Sequence, residues 1–208
     1  MTDSNYTHIA VVVDRSGSMF NIANDMKGGL EEFFKSQNLD GQKTLVDYVQ
    51  FDEEYDVVYS DVPVDKAQAY LVPRGRTALV DAVGKTITTL GDKLARKSED
   101  ERPGQVIVVI VTDGMENAST EWNADQVREL VNQQKSQWNW EFVFLGANID
   151  AVEVGQSLGF DAGASLTYTA SSRGVGMATA SLGAYTSQLR GGHKRSFTES
   201  DRKAASGS

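Results

Sequence analysis

Two continuous runs of apolar, mostly β-branched residues constrain the fold of this 208-residue chain more than any other feature. The runs lie within HIAVVVD (8–14) and QVIVVIVTD (105–113), and each segment ends in an aspartate. A strand with one face in water alternates apolar and polar residues, whereas a continuous apolar run is typical of a central parallel strand that is covered on both faces. The sequence therefore predicts a sheet with helices packed on both sides.

Helix and strand patterns alternate along most of the chain. Apolar residues recur at spacings of three and four after the first strand, after residue 77, after residue 123 and near residue 180, which is typical of amphipathic helices. The runs 44–52 and 55–61 flank an acidic turn and predict a β-hairpin. This order predicts an α/β fold with a mostly parallel sheet and one hairpin.

The domain organisation is expected to be simple. We find no internal repeat and no linker between halves, so residues 1–189 are predicted to form one domain. After Gly191 and Gly192 the chain becomes small and polar, with Phe197 as its one large apolar residue. Residues 190–208 are therefore predicted to form a flexible, polar C-terminal tail, because little apolar burial could offset the entropy of ordering them.

Composition and charge argue against several classes of protein. The formal net charge of −9, from 20 basic and 29 acidic residues, argues against a nucleic-acid-binding surface, which needs a basic face. Cysteine is absent, which excludes disulfides and thiolate metal sites and favours a cytoplasmic location. No stretch approaches the ~20 apolar residues of a membrane span, and the N-terminus does not resemble a signal peptide.

Nucleophilic catalysis and phosphate binding have little support in the sequence. The two histidines, His8 and His193, fall in the first strand and in the tail, so almost no histidine is available for a Ser-His-Asp arrangement or a His-rich zinc site. The segments VGKT (83–86) and RGVGMA (173–178) resemble phosphate-binding loops, but each coincides with a helical pattern and lacks the required strand context.

Oxygen-bearing side chains instead gather where strands are predicted to end. Asp14, Ser16 and Ser18 leave the first strand, Asp113 ends the second apolar run, and Thr77 stands before a helix. If the two strands are neighbours, these residues meet at the carboxyl edge of the sheet. Two carboxylates and three hydroxyls suit Mg²⁺ or Mn²⁺. The alternative is structural: the hydroxyls cap helices and Asp113 fills a turn.

The stretch DRSGS (14–18) resembles the D-x-S-x-S motif of the von Willebrand factor type A domain, whose metal-ion-dependent adhesion site is completed by a threonine and an aspartate. Thr77 and Asp113 match those positions in order. The resemblance covers about residues 6–189. The whole chain looks like the small stand-alone domains of this type that bacteria and phages encode. It implies a Rossmann-like, doubly wound sheet of six strands in the order 3-2-1-4-5-6, with one antiparallel edge strand and flanking helices.

The resemblance also implies a function. The protein is expected to be a divalent-metal-dependent binding module, not an enzyme, and to bind an Asp or Glu carboxylate of a protein partner. Two alternatives remain open at this point, a Mg²⁺-dependent hydrolase that uses the same acidic site and a scaffold whose metal is incidental. Arg76 departs from the family pattern and is expected to favour an anionic ligand or to weaken metal affinity, and Glu116 is a candidate outer acceptor. The implied ligands of Mg²⁺ (or Mn²⁺) are Asp14, Ser16, Ser18, Thr77 and Asp113.

Overall fold

A sheet of six strands lies at the centre of the protein. The computed structural model describes residues 2–193 and 196–207. The strands lie in the order β3-β2-β1-β4-β5-β6, with β2 and β3 antiparallel and every other neighbouring pair parallel, so the predicted fold and strand order are confirmed. The strands are β1 (Asp3–Asp14), β2 (Lys43–Phe51), β3 (Tyr55–Pro63), β4 (Pro103–Thr112), β5 (Glu141–Ala147) and β6 (Ser165–Tyr168).

Helices cover both faces of the sheet. One face packs against the first and the last two helices, and the other packs against the remaining three. In the described part of the chain, no helix is long and apolar enough to cross a membrane. The helices are α1 (Ala23–Gln37), α2 (Leu79–Ala95), α3 (Ala124–Trp138), α4 (Ala151–Ser157), α5 (Ser172–Arg190) and α6 (Glu199–Ser206).

The continuous apolar runs of β1 and β4 contribute side chains to the hydrophobic cores on both faces of the sheet. Alternate residues of a strand point to opposite faces, so Val11 and Val13 of β1 pack on the α1/α5 side while Val12 packs on the α2/α3 side. All three side chains are fully buried. This double burial explains why no polar residue interrupts the run before Asp14.

The connections out of β1 and β4 open a crevice at the carboxyl edge of the sheet. These two strands are parallel neighbours, with Val13 paired to Val111. The helix that follows β1 packs on one face of the sheet, and the helix that follows β4 packs on the other. The loops after the two strands therefore diverge, which is the usual position of a ligand site in an open α/β sheet.

The C-terminal segment differs from the predicted flexible tail. Residues 199–206 form α6, and Phe197 is buried with its ring stacked on Tyr185 at 4.7 Å between centroids. Arg202 Nη1 donates to the Ser165 carbonyl oxygen at 2.9 Å, which ties α6 to the start of β6. One aromatic anchor and bonds to strand backbone thus hold a segment that is otherwise small and polar. The boundary of the main domain at residue 189 stays a prediction.

We expect Phe197→Ala to release α6 without unfolding the sheet. Loss of the stacked ring should lower the free energy of unfolding by up to about 2 kcal/mol, less than for a central core phenylalanine because α6 can detach locally. Hydrogen exchange should become faster at residues 199–206 and stay unchanged in β1 and β4. Ser200→Ala, at an exposed position of α6, is the control. Unchanged exchange in α6 would contradict this packing role.

Candidate metal centre

Three loops meet over the carboxyl ends of β1 and β4: the loop after β1, the loop after β4 and the loop before α2. The Gly17 amide donates to the Gly75 carbonyl oxygen at 3.2 Å, which joins the first and third loops. The Thr77 amide donates to Asn117 Oδ1 at 3.0 Å, and the Asn117 amide donates back to the Thr77 carbonyl oxygen at 3.0 Å. These hydrogen bonds fix the three loops relative to one another.

The predicted site residues converge in this crevice. Ser16 Oγ lies 3.0 Å from Ser18 Oγ, and the Ser18 hydroxyl donates to Asp113 Oδ1 at 2.6 Å. Residues from the ends of two strands therefore share one hydrogen-bonded chain of oxygens. We refer to Asp14, Ser16, Ser18, Thr77 and Asp113 together as the oxygen cluster.

Gly114 shows how closely the rest of the oxygen cluster approaches. A Cβ atom built on Gly114 would lie 2.9 Å from Thr77 Oγ1 and 3.6 Å from both Asp14 Oδ2 and Ser18 Oγ. Oxygens from the loop after β1 and from the loop before α2 thus lie close to a residue of the third loop. A side chain at this position would collide with the threonine hydroxyl, so the crevice requires glycine here.

The hydroxyls of the oxygen cluster do not serve as helix caps. The Ser16 side chain makes no capping bond to the 3₁₀ turn that it precedes, and the N-cap residue of α2 is Ala78 instead of Thr77. In the turn after β4, the Gly114 amide donates to Thr112 Oγ1 at 3.2 Å, so it is Thr112 that stabilises this turn. The Asp113 carboxylate instead accepts the Ser18 hydroxyl. The structural alternative therefore does not explain why these residue types stand at these positions.

The two aspartates are held where negative charge is unfavourable. Asp14 is fully buried, and its carboxylate accepts the Ser16 amide and the Thr112 hydroxyl, each at 2.6 Å. Burial raises the pKa of Asp14 to about 6, against the lowering effect of these hydrogen bonds, and the charge of Asp113 raises it further. Burial also raises the pKa of Asp113. Two carboxylates and three neutral hydroxyls together carry negative charge, which fits a hard divalent cation.

Two arginines tie the loop after β1 and the loop before α2 to the β2–β3 hairpin. Arg15, next to Asp14, donates from Nε to Asp52 Oδ2 at 3.1 Å and from Nη1 to Asp56 Oδ2 at 3.0 Å. Arg74 Nε donates to the same Asp52 oxygen at 2.8 Å. Since both guanidinium groups pair with the β2–β3 hairpin, they link the site loops to the edge of the sheet. No sequence pattern indicated these roles for Arg15 and Asp52.

Arg76 and Glu116 have partners that change their expected roles. Arg76 is mostly exposed, and its Nε donates to Glu53 Oε1 at 2.5 Å, so its charge is already paired. Glu116 accepts the Val80 amide at 2.9 Å and the Ser119 amide at 2.7 Å. Glu116 therefore joins the loop after β4 to the first turn of α2, where its negative charge also complements the helix dipole.

A second group of carboxylates lies elsewhere in the sheet. His8, Asp47 and Asp61 have ligand atoms within 4.8 Å of one another, a spacing that could hold a metal ion. Lys93 Nζ already lies among them, 2.6 and 2.9 Å from the two Asp47 oxygens and 3.3 Å from Asp61 Oδ1. Although burial opposes ionisation, the His8 and Lys93 contacts hold the pKa of Asp47 below its usual range. We assign this group a structural role, because the ammonium supplies the counter-charge.

The open, doubly wound sheet and the oxygen cluster at its carboxyl edge define an α/β domain with a candidate site for a divalent cation. The sequence profile of the von Willebrand factor type A domain matches residues 8–175. The chain belongs to the von Willebrand factor type A domain family. A search of curated protein sequences gave no match.

Solved structures with the same fold are distant in sequence. Proximal thread matrix protein 1 from the mussel byssus superposes with a TM-score of 0.62 at 17% identity, covering 86% of this chain and 45% of the mussel chain. The same protein with a zinc-occupied metal-ion-dependent adhesion site motif gives 0.56 at 16% identity, covering 89% and 45%. A von Willebrand factor type A protein from Catenulispora acidiphila gives 0.59 at 15% identity, covering 86% and 42%. This chain spans less than half of each of these proteins.

Proposed function

We propose that this protein is a divalent-cation-dependent protein-binding module that captures an Asp or Glu carboxylate of a partner. The observation that carries the proposal is the oxygen cluster, in which five oxygen-bearing side chains from three loops converge without capping a helix. Mg²⁺ or Mn²⁺ suits this donor set. The cation would supply the positive charge that attracts a partner carboxylate. Zinc in the same motif of the mussel protein supports divalent binding in general.

Exposed apolar side chains on the site loops favour a protein as the partner. Of the large apolar side chains in the described residues, Phe20, Val72 and Met115 are the most exposed, at 75%, 75% and 69%. Phe20 lies two residues after Ser18, Met115 two residues after Asp113, and Val72 in the loop before α2. We call these three residues the apolar rim. Exposed apolar groups next to a polar centre are typical of protein-interaction surfaces.

The binding test uses a random peptide display library as its probe. We expect panning in MgCl₂ to enrich peptides that have an Asp or Glu beside a large apolar residue, since the cation would bind the carboxylate and the apolar rim would bind its neighbour. EDTA should release these peptides. Enrichment of peptides without a carboxylate, or retention in EDTA, would contradict the proposal.

Loss of the apolar rim should weaken peptide binding without affecting the cation. We expect Phe20→Ser combined with Met115→Ser to lower the affinity of an enriched peptide at least about tenfold, because two partly buried contacts of about 1 kcal/mol each would be lost. The Mn²⁺ affinity should stay within about twofold of wild type. Trp138→Ser is the matched control, since Trp138 is exposed at the end of α3. Equal peptide affinity in the double variant would place the binding surface elsewhere.

The hydrolase alternative lacks a general base in the oxygen cluster, whose two titratable groups are the proposed cation ligands. His8, the one histidine on β1, lies instead beside Asp47, whose carboxylate is also paired with Lys93. We therefore propose a non-catalytic module, and turnover of p-nitrophenyl phosphate that Asp14→Asn abolishes would contradict this. Peptide binding that persists in EDTA would favour a scaffold with incidental metal.

The absence of cysteine supports a cytoplasmic location, and the net charge of −9 argues against nucleic-acid or anionic-membrane partners.

A further inference from the structure

Tyr168, the last residue of β6, carries a polar group that the packing around it does not explain. Its side chain is almost fully buried, and its hydroxyl has no hydrogen-bond partner among residues 2–193 and 196–207. Most buried hydroxyls are hydrogen-bonded, because leaving one unpaired is unfavourable by about 1–3 kcal/mol. A phenylalanine would fill the same space without this penalty, so the hydroxyl calls for a specific role.

The sheet register places Tyr168 in one row with Asp113. Thr112 of β4 pairs with Gly146 of β5, so the next residues along the two chains, Asp113 and Ala147, lie side by side. Ala147 in turn pairs with Tyr168 of β6. Val111 and Tyr168 both pack on the α1/α5 face. The Asp113 carboxylate accepts from Ser18, which lies in the segment that leads into α1, so it also lies toward that face. The two residues are two strands apart, about 10 Å between backbones, with the small Ala147 between them. The tyrosine ring can therefore extend over Ala147 toward the oxygen cluster.

The electrostatics agree with this placement. Burial raises the pKa of the Tyr168 phenol strongly, and the negative charges of Asp113 and Asp14 raise it further. Both carboxylates of the oxygen cluster therefore lie within electrostatic reach of the phenol. The hydroxyl stays protonated at neutral pH and is available as a donor. Asp113 Oδ1 already accepts the Ser18 hydroxyl, which leaves its other oxygen for a second donor.

We propose that Tyr168 is a positioning residue of the cation site, whose hydroxyl donates through one bridging water to the Asp113 carboxylate when a divalent cation is bound. This inference rests on the proposed function. Hydrogen bonds behind a metal-binding carboxylate hold it in the orientation that the metal requires. Tyr168 would act on the side of Asp113 that faces β6, while Ser18 acts on the side that faces α1.

The test compares Tyr168→Phe with wild type in two measurements, Mn²⁺ titration by calorimetry and thermal unfolding in EDTA. We expect the variant to bind Mn²⁺ about tenfold more weakly, in line with the loss of other outer-shell partners of metal ligands. In EDTA its melting temperature should stay equal to that of wild type or rise, because the variant removes an unpaired buried hydroxyl.

Tyr6→Phe is the matched control, since Tyr6 is equally buried but its hydroxyl lies 2.9 Å from His8 Nδ1. That variant should melt at a lower temperature in EDTA and bind Mn²⁺ as wild type does. If Tyr168→Phe retains wild-type Mn²⁺ affinity, or is destabilised in EDTA as Tyr6→Phe is, the positioning role is wrong while the cation site stands. If wild type itself binds no Mn²⁺, the proposed function fails and the role of Tyr168 fails with it.

Discussion

Replacing Asp14 by asparagine is expected to abolish cation-dependent stabilisation while making the cation-free protein more stable at pH 7. The wild-type protein should gain about 2.7 kcal/mol when free Mg²⁺ exceeds its dissociation constant a hundredfold. The asparagine side chain would keep one acceptor for the Ser16 amide, and the Thr112 hydroxyl can reverse its direction to accept from the new amide. The fold should therefore tolerate the change, but the ligand set loses its buried negative charge.

The gain in the cation-free protein follows from the raised pKa of Asp14. Because folding raises this pKa from 3.8 to about 6, the buried carboxyl favours the folded state fully below about pH 4, and this contribution is lost as the pH rises through 6. One pKa unit corresponds to about 1.4 kcal/mol, so the loss at pH 7 is at most about 3 kcal/mol. Asparagine carries no charge and should not show this loss.

Urea unfolding in EDTA at pH 4 and pH 7 measures this difference. We expect the stability of Asp14→Asn relative to wild type to increase between these two pH values, and Mg²⁺ to raise the melting temperature of wild type but not that of Asp14→Asn. Asp92→Asn, at an exposed position of α2, removes one charge far from the crevice and should behave as wild type in both respects. A full Mg²⁺-dependent shift in Asp14→Asn would show that the cation binds at another site.

The sheet was predictable from the sequence because the strongest signals are intrinsic to its central strands. The Val-rich runs of β1 and β4 need burial on two faces, and this requirement places them in the middle of a sheet wherever the other strands lie. The bounds were less predictable: β1 begins at Asp3, five residues before the predicted segment 8–14, because Asp3 pairs with Pro103 of β4. Such pairing depends on a distant partner and leaves no local pattern.

The oxygen cluster was predictable for a similar reason, because strand ends bring short motifs together at one edge. Its supporting residues were harder to predict. Asn117 bonds to the backbone of the loop before α2 and Glu116 to the backbone of the first turn of α2, and these contacts become visible once the three segments are placed. The position of Tyr168 relative to Asp113 depends on how β4, β5 and β6 pair with one another. For α6 a local signal existed, since Thr198 and Asp201 form a capping box, but the polar composition argued against a packed helix.

Thr77→Ala is expected to have the largest effect on partner capture relative to its effect on folding. Thr77 is buried, its backbone is held by Asn117, and its Oγ1 faces the crevice beside Gly114. The backbone bonds do not depend on the side chain, so we expect the free energy of unfolding in EDTA to fall by about 1 kcal/mol, as for one buried methyl group. Loss of one hydroxyl from the ligand set should weaken Mg²⁺ binding at least about tenfold, comparable to the loss of an outer-shell partner.

Capture of a carboxylate-containing peptide from the Mg²⁺ panning should then fall in proportion to the cation-loaded fraction, because the peptide binds only the cation-loaded protein. EDTA should reproduce the loss in wild type. Thr77→Ser keeps the hydroxyl and removes only the methyl group, so it should be destabilised as the alanine variant is and yet capture the peptide. This pair of variants separates packing from coordination. Equal capture by Thr77→Ala and Thr77→Ser would mean that the hydroxyl does not hold the cation, and the carboxylate-capture mechanism would then be wrong even if peptide binding to the apolar rim persists.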